Sequence, residues 1–471
     1  MISINGVSYS YKRSEEEQLN TTSMEIGKGE VILLCGKSGS GKTTVTKLIN
    51  GLIPHFLDGN LSGNIYINGI TTREMKIYEI SEQVGSIFQN PKTQFFNLDS
   101  DSELIFGLEN MGKTPDKIMA QISKAVSDLE IETLKNRNVF KMSGGEKQLL
   151  AIASVYATNP EIYVFDEPSA NIDDYGIEKI REMLIKLKSK GKTIIISEHR
   201  LYYLMDLIDK AIYLQDGKIE HSFSNVEFSL IDNITRKKMG LRTFVRKEND
   251  DFTIPVKYSE SDDFIISNLR YENEKLNILD NINISANKGD IIAITGNNGQ
   301  GKTTLMRILC GLLKEKEGAI RYKGRHVKYK KRRTLCYMVM QDVIHQLFSE
   351  SVLGEFSLLD SEIDEKKIND ILTKLELIKL KNRHPMCLSG GQMQRLAVAV
   401  GMLVDREIII LDEPTSGMDG EGLCAIIRWV KLLSEKGKIV IIITHDLLLA
   451  EATSNKFIYL EEGEQVREME I

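Results

Sequence analysis

The sequence is poor in cysteine and tryptophan, and its five cysteines are scattered. Cys35, Cys310, Cys336, Cys387 and Cys424 form no C-x-x-C pair and no Cys/His cluster. That excludes the usual spacings of a zinc or iron–sulfur site and leaves reduced thiols as the reading. A basic excess is also missing. Lys and Arg number 61 against 67 Asp and Glu, a formal net charge of -6, so nothing suggests a nucleic-acid partner. No apolar run approaches the roughly 18–20 residues that span a bilayer. The longest, such as Ile439–Ile443, suit buried strands. Met1–Tyr11 is too short and polar-interrupted for a secretory leader. These absences predict a cytosolic chain whose membrane role, if any, comes through a partner.

What is present is a chain that contains itself twice. GKSGSGKTT from Gly36 returns as GNNGQGKTT from Gly296, 260 residues later. SGGEKQLLAIA (Ser143) and SGGQMQRLAVA (Ser389) lie 246 apart, as do IYVFDEPSANID (Ile162) and IIILDEPTSGMD (Ile408). His199 in SEHR and His445 in THD keep the same offset. The first copy is longer in its front half, where NGLIPHFLDGNLSGNIYING faces the shorter CGLLKEKEGAIRYKG. The offsets predict a first domain over 1–225, a connector over 226–262 with a short helix near Val226–Lys237, and a second domain over 263–471.

Each copy reads as alternating strands and helices. Apolar runs at Val31–Cys35 and Ile291–Thr295 precede the glycine loops, and helical patterns at Thr43–Asn50 and Thr303–Cys310 follow. Val/Ile-rich runs at Ile162–Phe165, Thr193–Ile196, Ile408–Leu411 and Ile439–Ile443 suit strands covered on both faces, hence a mainly parallel sheet in an α/β fold.

The glycine loops point to phosphate. Gly36, Ser38, Gly39, Ser40 and Gly41, and likewise Gly296, Asn298, Gly299, Gln300 and Gly301, let backbone N–H groups wrap an anion at a helix start. Lys42 with Thr44, and Lys302 with Thr304, then reach phosphate oxygens, while Thr43 and Thr303 offer hydroxyls to Mg²⁺. One such pattern arises by chance in roughly one of 50–100 chains of this size. Two, each between a strand and a helix, argue against chance.

Asp166 and Asp412 end apolar strands at the carboxyl edge of the sheet, where a carboxylate can hold Mg²⁺. Glu167 and Glu413 follow and can polarise an attacking water as general base. An Asp-Glu pair after a strand is ordinarily a solvated loop; recurrence at matched distance from a glycine loop favours catalysis. His199 and His445 each sit 33 residues past the Asp, which favours a γ-phosphate sensor over a core histidine. Gln89 and Gln341 end another short strand and can touch Mg²⁺, although spacing alone leaves them equally well as loop residues. Tyr11 and Tyr271 lie 25 residues before the first glycine and can stack on a nucleobase; core packing is the plainer alternative, and Tyr9 is a rival.

These motifs resemble the ABC ATPases over nearly the whole chain, the connector apart. SGG at Ser143–Gly145 and Ser389–Gly391 looks like that family's signature loop. The resemblance implies two tandem P-loop domains, each with a parallel sheet core, a helical subdomain and a small antiparallel one. It implies ATP and Mg²⁺ as ligands and an intramolecular pseudo-dimer, with Lys42 sharing an ATP with Ser389 and Gly391, and Lys302 with Ser143 and Gly145. VGSIFQNPKTQFFNLDSDSELIFGLEN from Val84, and ISEHRL, resemble the ATPases of energy-coupling factor (ECF) importers. That implies a transmembrane T component and a substrate-binding S component for a vitamin or transition-metal ion, with the chain peripheral at the cytoplasmic face of the membrane. Leu149 and Glu146 depart from the pattern, where the second copy has Arg395 and Gln392. Three other resemblances are weaker. Sugar-importer tandem ATPases usually have a degenerate second glycine loop, ABC-F ribosome factors a longer basic linker, and DNA-repair or chromosome ATPases a zinc module or coiled-coil insertion.

Overall fold

A computed structural model describes residues 1–12, 17–170, 172–245, 262–273, 276–359, 363–388 and 390–470. The chain divides into two compact units, Met1–Arg246 with Asp419–Glu421 and Lys247–Met418 with Gly422–Ile471. Ser389 and positions 246–261 of the connector fall outside the described residues.

In the first unit the described residues form a six-stranded sheet in the order Lys218–Ser224, Lys210–Gln215, Val31–Gly36, Thr193–Ser197, Ile162–Asp166, Val84–Ile87. The four inner pairings are parallel and the edge hairpin is antiparallel. Because strand side chains alternate, each strand feeds two cores. Val31, Leu33 and Cys35 join Tyr163, Phe165, Ile194 and Ile196 on one face. Ile32 and Leu34 join Ile162, Val164 and Ile195 on the other. The first core is closed by the helices Ser100–Asn110, Pro115–Leu129 and Gly144–Thr158, the second by the helix Lys42–Ile49 and an antiparallel sheet of Leu19–Ile26, Ile2–Tyr11, Gly59–Ile67 and Ile70–Thr71.

The second unit repeats the plan. Ile291–Thr295 lies between Ile439–Ile443 and Lys456–Glu461, and Ile408–Asp412 and Cys336–Val339 complete the parallel row. Ile409, Leu411, Val440 and Ile442 face one core, and Ile408, Ile410, Ile439 and Ile441 the other. Among the described residues a single pairing, Asp280 with Glu464, joins the two sheets into one of ten strands.

The stretch expected as connector is built into the first unit up to residue 245. It forms two short helices, Asn225–Ser229 and Asn233–Lys238, each capped by the side chain before it. Phe228 is fully buried, with Met239 and Leu241 beside it in the same core. The Phe228 ring lies 5.9 Å from Phe223 and 4.8 Å from Phe244, centroid to centroid. Tyr213 donates its hydroxyl to the Met239 carbonyl at 3.1 Å, and Asn225 donates to Met205 and Ile208 carbonyls at 2.6 and 2.8 Å. A short helix is expected near Val226–Lys237, and two form there; that Phe228 rather than its apolar neighbours Val226 and Leu230 turns into the core depends on packing that sequence does not show. Phe228→Ala should lower the stability of the first unit by about 3–5 kcal/mol, read from the midpoint of urea unfolding. A loss below about 1 kcal/mol would mean the segment is only laid on the surface.

Candidate functional site

Each glycine loop leaves the end of a central strand and enters a helix. Gly36 and Gly296 have φ of +144° and +136°, and a Cβ on either would stand 2.2 Å from a carbonyl oxygen, of Leu214 or Leu460. Gly41 and Gly301, also left-handed, precede the helices Lys42–Ile49 and Lys302–Leu309, neither of which has a side-chain cap. The first N–H groups of each helix are thus left to an anion. Lys42 is buried and its Nζ donates to the carbonyls of Gly36 and Lys37 at 3.1 and 3.0 Å. Lys302 repeats this with Gly296 and Asn297 at 2.5 and 2.7 Å. Both ammonium groups curl over the loop they serve. Ser40 Oγ is buried there without a partner among the described residues, which fits a donor to a phosphate oxygen. Ser38, Gly39 and Gly299 are exposed around the loops, while Thr44 is buried and Thr304 half-buried beneath them. Gln300 accepts from the Glu462 N–H, which fixes the rim of the second loop.

The carboxylates stand beside the loops. Thr43 Oγ1 donates to Asp166 Oδ1 at 3.2 Å, which brings together the two groups expected to hold Mg²⁺. Asp412 is buried at the matching strand end, and Thr303 is exposed at its helix start. Burial pushes both Asp166 and Asp412 up to about 6, the charge of Glu167 adding to the rise at Asp166 and the Lys302 cation opposing it at Asp412. Glu167 and Glu413 follow with φ of +47° and +46°, a backbone that non-glycine residues seldom adopt. Each is clamped by its own N–H, which donates to the Ser197 or Ile443 carbonyl at 2.8 Å. The strain appears at the same place in both copies, as strain at functional positions does.

In the first unit Glu167 Oε2 accepts from Gln89 Nε2 at 2.7 Å, and His199 Nε2 lies 3.4 Å from Glu167 Oε1. Burial raises Glu167 to about 7, against the pull of Lys42. Burial, reinforced by the Lys42 cation, drives His199 down to about 3, so its imidazole is neutral at physiological pH. A carboxyl poised near neutrality beside a neutral histidine suits proton abstraction from water. In the second unit His445 Nε2 is 3.5 Å from Glu413 Oε1 and 3.1 Å from Asn298 Oδ1. Gln341 is exposed just past its strand.

Tyr9, the rival for stacking, is fully buried and donates to the Asp58 carbonyl at 3.2 Å. Tyr11 is half-exposed, with the Lys47 ammonium 5.8 Å above its ring, and Tyr271 is half-exposed in the matching strand. Ser143 caps the helix Gly144–Thr158, accepting from the Glu146 N–H at 3.3 Å while Glu146 accepts from the Ser143 N–H at 2.8 Å. Gly145 is buried in the first turn, and Gly391 has open space around it.

The two departures have local reasons. Glu146 completes that reciprocal cap and pairs with Arg137. Burial opposes its charge, but Arg137 and the Ser143 N–H hold its carboxyl below the ordinary value. Leu149 packs on the helical core. In the second unit Arg395 pairs with Glu376 at 3.1 Å; in the first, the matching Glu130 pairs with Lys179 at 3.0 Å. The charge lost at 149 has been replaced from another helix.

A residue not singled out from sequence is Glu198, whose buried carboxylate joins the loop of Glu167 to that of His199. The difference between SEHR and THD was its signal.

A sequence model of the ABC transporter family matches residues 19–170 and 279–416, one stretch in each unit. An ABC transporter ATP-binding protein of Treponema denticola is 45% identical over 474 aligned residues, spanning 100% of this chain and 97% of that one. Another so named, from Methanosarcina mazei, is 30% identical over 521 residues, spanning 98% and 88%. The crystal structure of archaeal ribosomal stalk protein aP1 with archaeal ribosome recycling factor aABCE1 aligns over 99% of this chain and 90% of that one, with a TM-score of 0.66. At 22% identity this likeness is one of fold. The glycine loops, strand-end carboxylates and relatives agree: the chain belongs to the ABC transporter family and is an ATPase with two of its nucleotide-binding domains in tandem.

Proposed function

We propose that this ATPase energises a membrane importer of ECF type, docking on a transmembrane T component whose S component takes a vitamin or a transition-metal ion. Glu167 and Glu413 take the proton of the attacking water, His199 and His445 hold the γ-phosphate end, and Lys42 and Lys302 neutralise phosphate charge. Thr43 with Asp166, and Thr303 with Asp412, are the residues to hold Mg²⁺, with Gln89 and Gln341 at the same edge. The bound ion offsets charge on the phosphates.

The observation that carries the transport reading is a matched pair of exposed apolar sites. Phe96 stands seven residues after Gln89 and is 75% exposed; Phe348 stands seven after Gln341 and is 77% exposed. Phe140 and Met386, 246 residues apart and just before the two signature loops, are 73% and 54% exposed. In the first unit the Val139 N–H donates to the Leu98 carbonyl at 2.9 Å, which ties the Phe140 stretch to the Phe96 stretch. Large apolar side chains kept on the surface at the same place in both repeats suit a partner with apolar docking segments. The relatives named as ABC transporter ATP-binding proteins support the same reading. Among the described residues no helix is long and apolar enough to cross a membrane, so the partner supplies the span.

Affinity purification from detergent-solubilised membranes should recover a multipass protein. Phe96→Ser with Phe348→Ser should cut that recovery at least tenfold without lowering the melting temperature. Recovery of ribosomes or other soluble partners alone would overturn the proposal.

A further inference from the structure

The two copies hold the base and the histidine together by different means. In the first unit Glu198 is 3% exposed. Its Oε1 accepts from the Ser169 N–H at 3.1 Å and the Tyr203 hydroxyl at 2.8 Å. Its Oε2 accepts from the N–H groups of His199 and Arg200 at 2.6 and 3.3 Å. Ser169 lies two residues past Glu167, so one carboxylate bridges the base loop and the histidine loop.

In the second unit the residue before the histidine is Thr444, and the carboxylate has moved to Asp446, where the first unit has Arg200. Thr415, which matches Ser169, donates its hydroxyl to Asp446 Oδ2 at 2.8 Å. Thr444 Oγ1 accepts from the Asp446 N–H at 2.9 Å and reaches Glu413 Oε2 at 3.4 Å. The His445 N–H, with Thr444 in place of a carboxylate, donates to Glu413 itself at 3.0 Å. Both units therefore carry one buried carboxylate tying the same two loops, from opposite sides of the histidine.

We propose that Glu198 is a positioning residue of the first site, setting His199 against Glu167 as Asp446 sets His445 against Glu413, and that Glu-His-Arg and Thr-His-Asp are interchangeable solutions. By accepting the His199 N–H, Glu198 leaves the Glu167 oxygens to Gln89 and to the His199 ring, at 2.7 and 3.4 Å. In the second unit Glu413 accepts that backbone N–H itself. The exchange thus changes what touches the base while keeping the loops joined. The proposal rests on the assignment of Glu167 and His199 as base and sensor.

The test exchanges the patterns in the full chain, measured in the wild-type background and with Glu413→Gln, where turnover depends on Glu167. Glu198→Thr should lower kcat at least fivefold in the Glu413→Gln background, with KM within twofold. If the two sites are coupled, wild-type turnover shows the whole fall. Arg200→Asp alone, which sets a second carboxylate beside Glu198, should also lower kcat. The pair Glu198→Thr with Arg200→Asp should return kcat to within about twofold of its background, because Asp at 200 then meets the Ser169 hydroxyl. A merely structural role for Glu198 gives no such recovery. Should Glu198→Thr fail to fold, Glu198→Gln, of the same shape, should give an intermediate kcat, and the double variant still decides. Unchanged kcat in Glu198→Thr, or a double variant no better than the poorer single, overturns the proposal. Glu167→Gln separates the two failures. If it leaves turnover intact, the site assignment is wrong; if it abolishes the first site's turnover while Glu198→Thr does nothing, the positioning role alone is wrong.

Discussion

Glu167→Gln and Glu413→Gln, made separately in the full chain, should each remove at least half of steady-state ATP hydrolysis, and together should lower it at least 100-fold. Both carboxylates are buried, both are held by an N–H bond to the next strand, and both lie within 3.5 Å of a histidine ring nitrogen. A Gln side chain keeps the shape and can still accept from Gln89, so nucleotide affinity should hold while turnover falls. The chain carrying Glu413→Gln also isolates a pH dependence. Glu167 must be ionised to take a proton, and burial raises it to about 7. Its kcat/KM should therefore climb as pH rises through about 7 and, one unit below that midpoint, be roughly tenfold below its high-pH plateau. Phosphate-release kinetics across pH 5.5–8.5 check both statements. A single variant with undiminished turnover would mark its site as degenerate.

Gly36→Ala should weaken nucleotide binding at the first loop at least 100-fold, and Gly296→Ala should do the same at the second. The left-handed φ is one reason, since it costs an alanine of order 1–3 kcal/mol. The larger reason is contact, because a Cβ would lie 2.2 Å from the Leu214 or Leu460 carbonyl oxygen, which belongs to the neighbouring strand and cannot retreat. The loop must shift instead, and with it the carbonyl that Lys42 or Lys302 grips. Gly39→Ala is the informative companion. Its φ is +81°, yet nothing lies within 4 Å of the added carbon. That variant should lose roughly tenfold, from backbone strain alone. Titration of a fluorescent ATP analogue gives all three values; equal losses in Gly36→Ala and Gly39→Ala would show that crowding is not the cause.

Much of this was legible before the structure. The run Ile291–Thr295 is a strand over those very residues, and Ile162–Phe165 and Thr193–Ile196 each extend by one residue. Strands buried on both faces carry unbroken Val/Ile runs, and a glycine loop punctuates the chain, so both local signals were strong. The candidate site residues stand out because the chain repeats itself, and a repeat acts as its own control. What escaped needed three dimensions. Glu198 looked like an ordinary polar residue beside a histidine, because its meaning lies in bonds to Ser169 and Tyr203 on other segments. The joining of the second unit's sheets depends on one pairing, Asp280 with Glu464, that no pattern announces.

The burial of Phe228 bears on how this polypeptide can be taken apart. The repeat offsets end the first copy near residue 225, yet the tilted rings of Phe223, Phe228 and Phe244 pack in a row across that point. A gene fission at the repeat boundary would strip the first half of its own lid and hand the second half a greasy tail. A cut beyond residue 245 would leave Phe228, Met239 and Leu241 with the core they complete, so the unit of repetition and the unit of folding differ here by some 20 residues, 225 against 245.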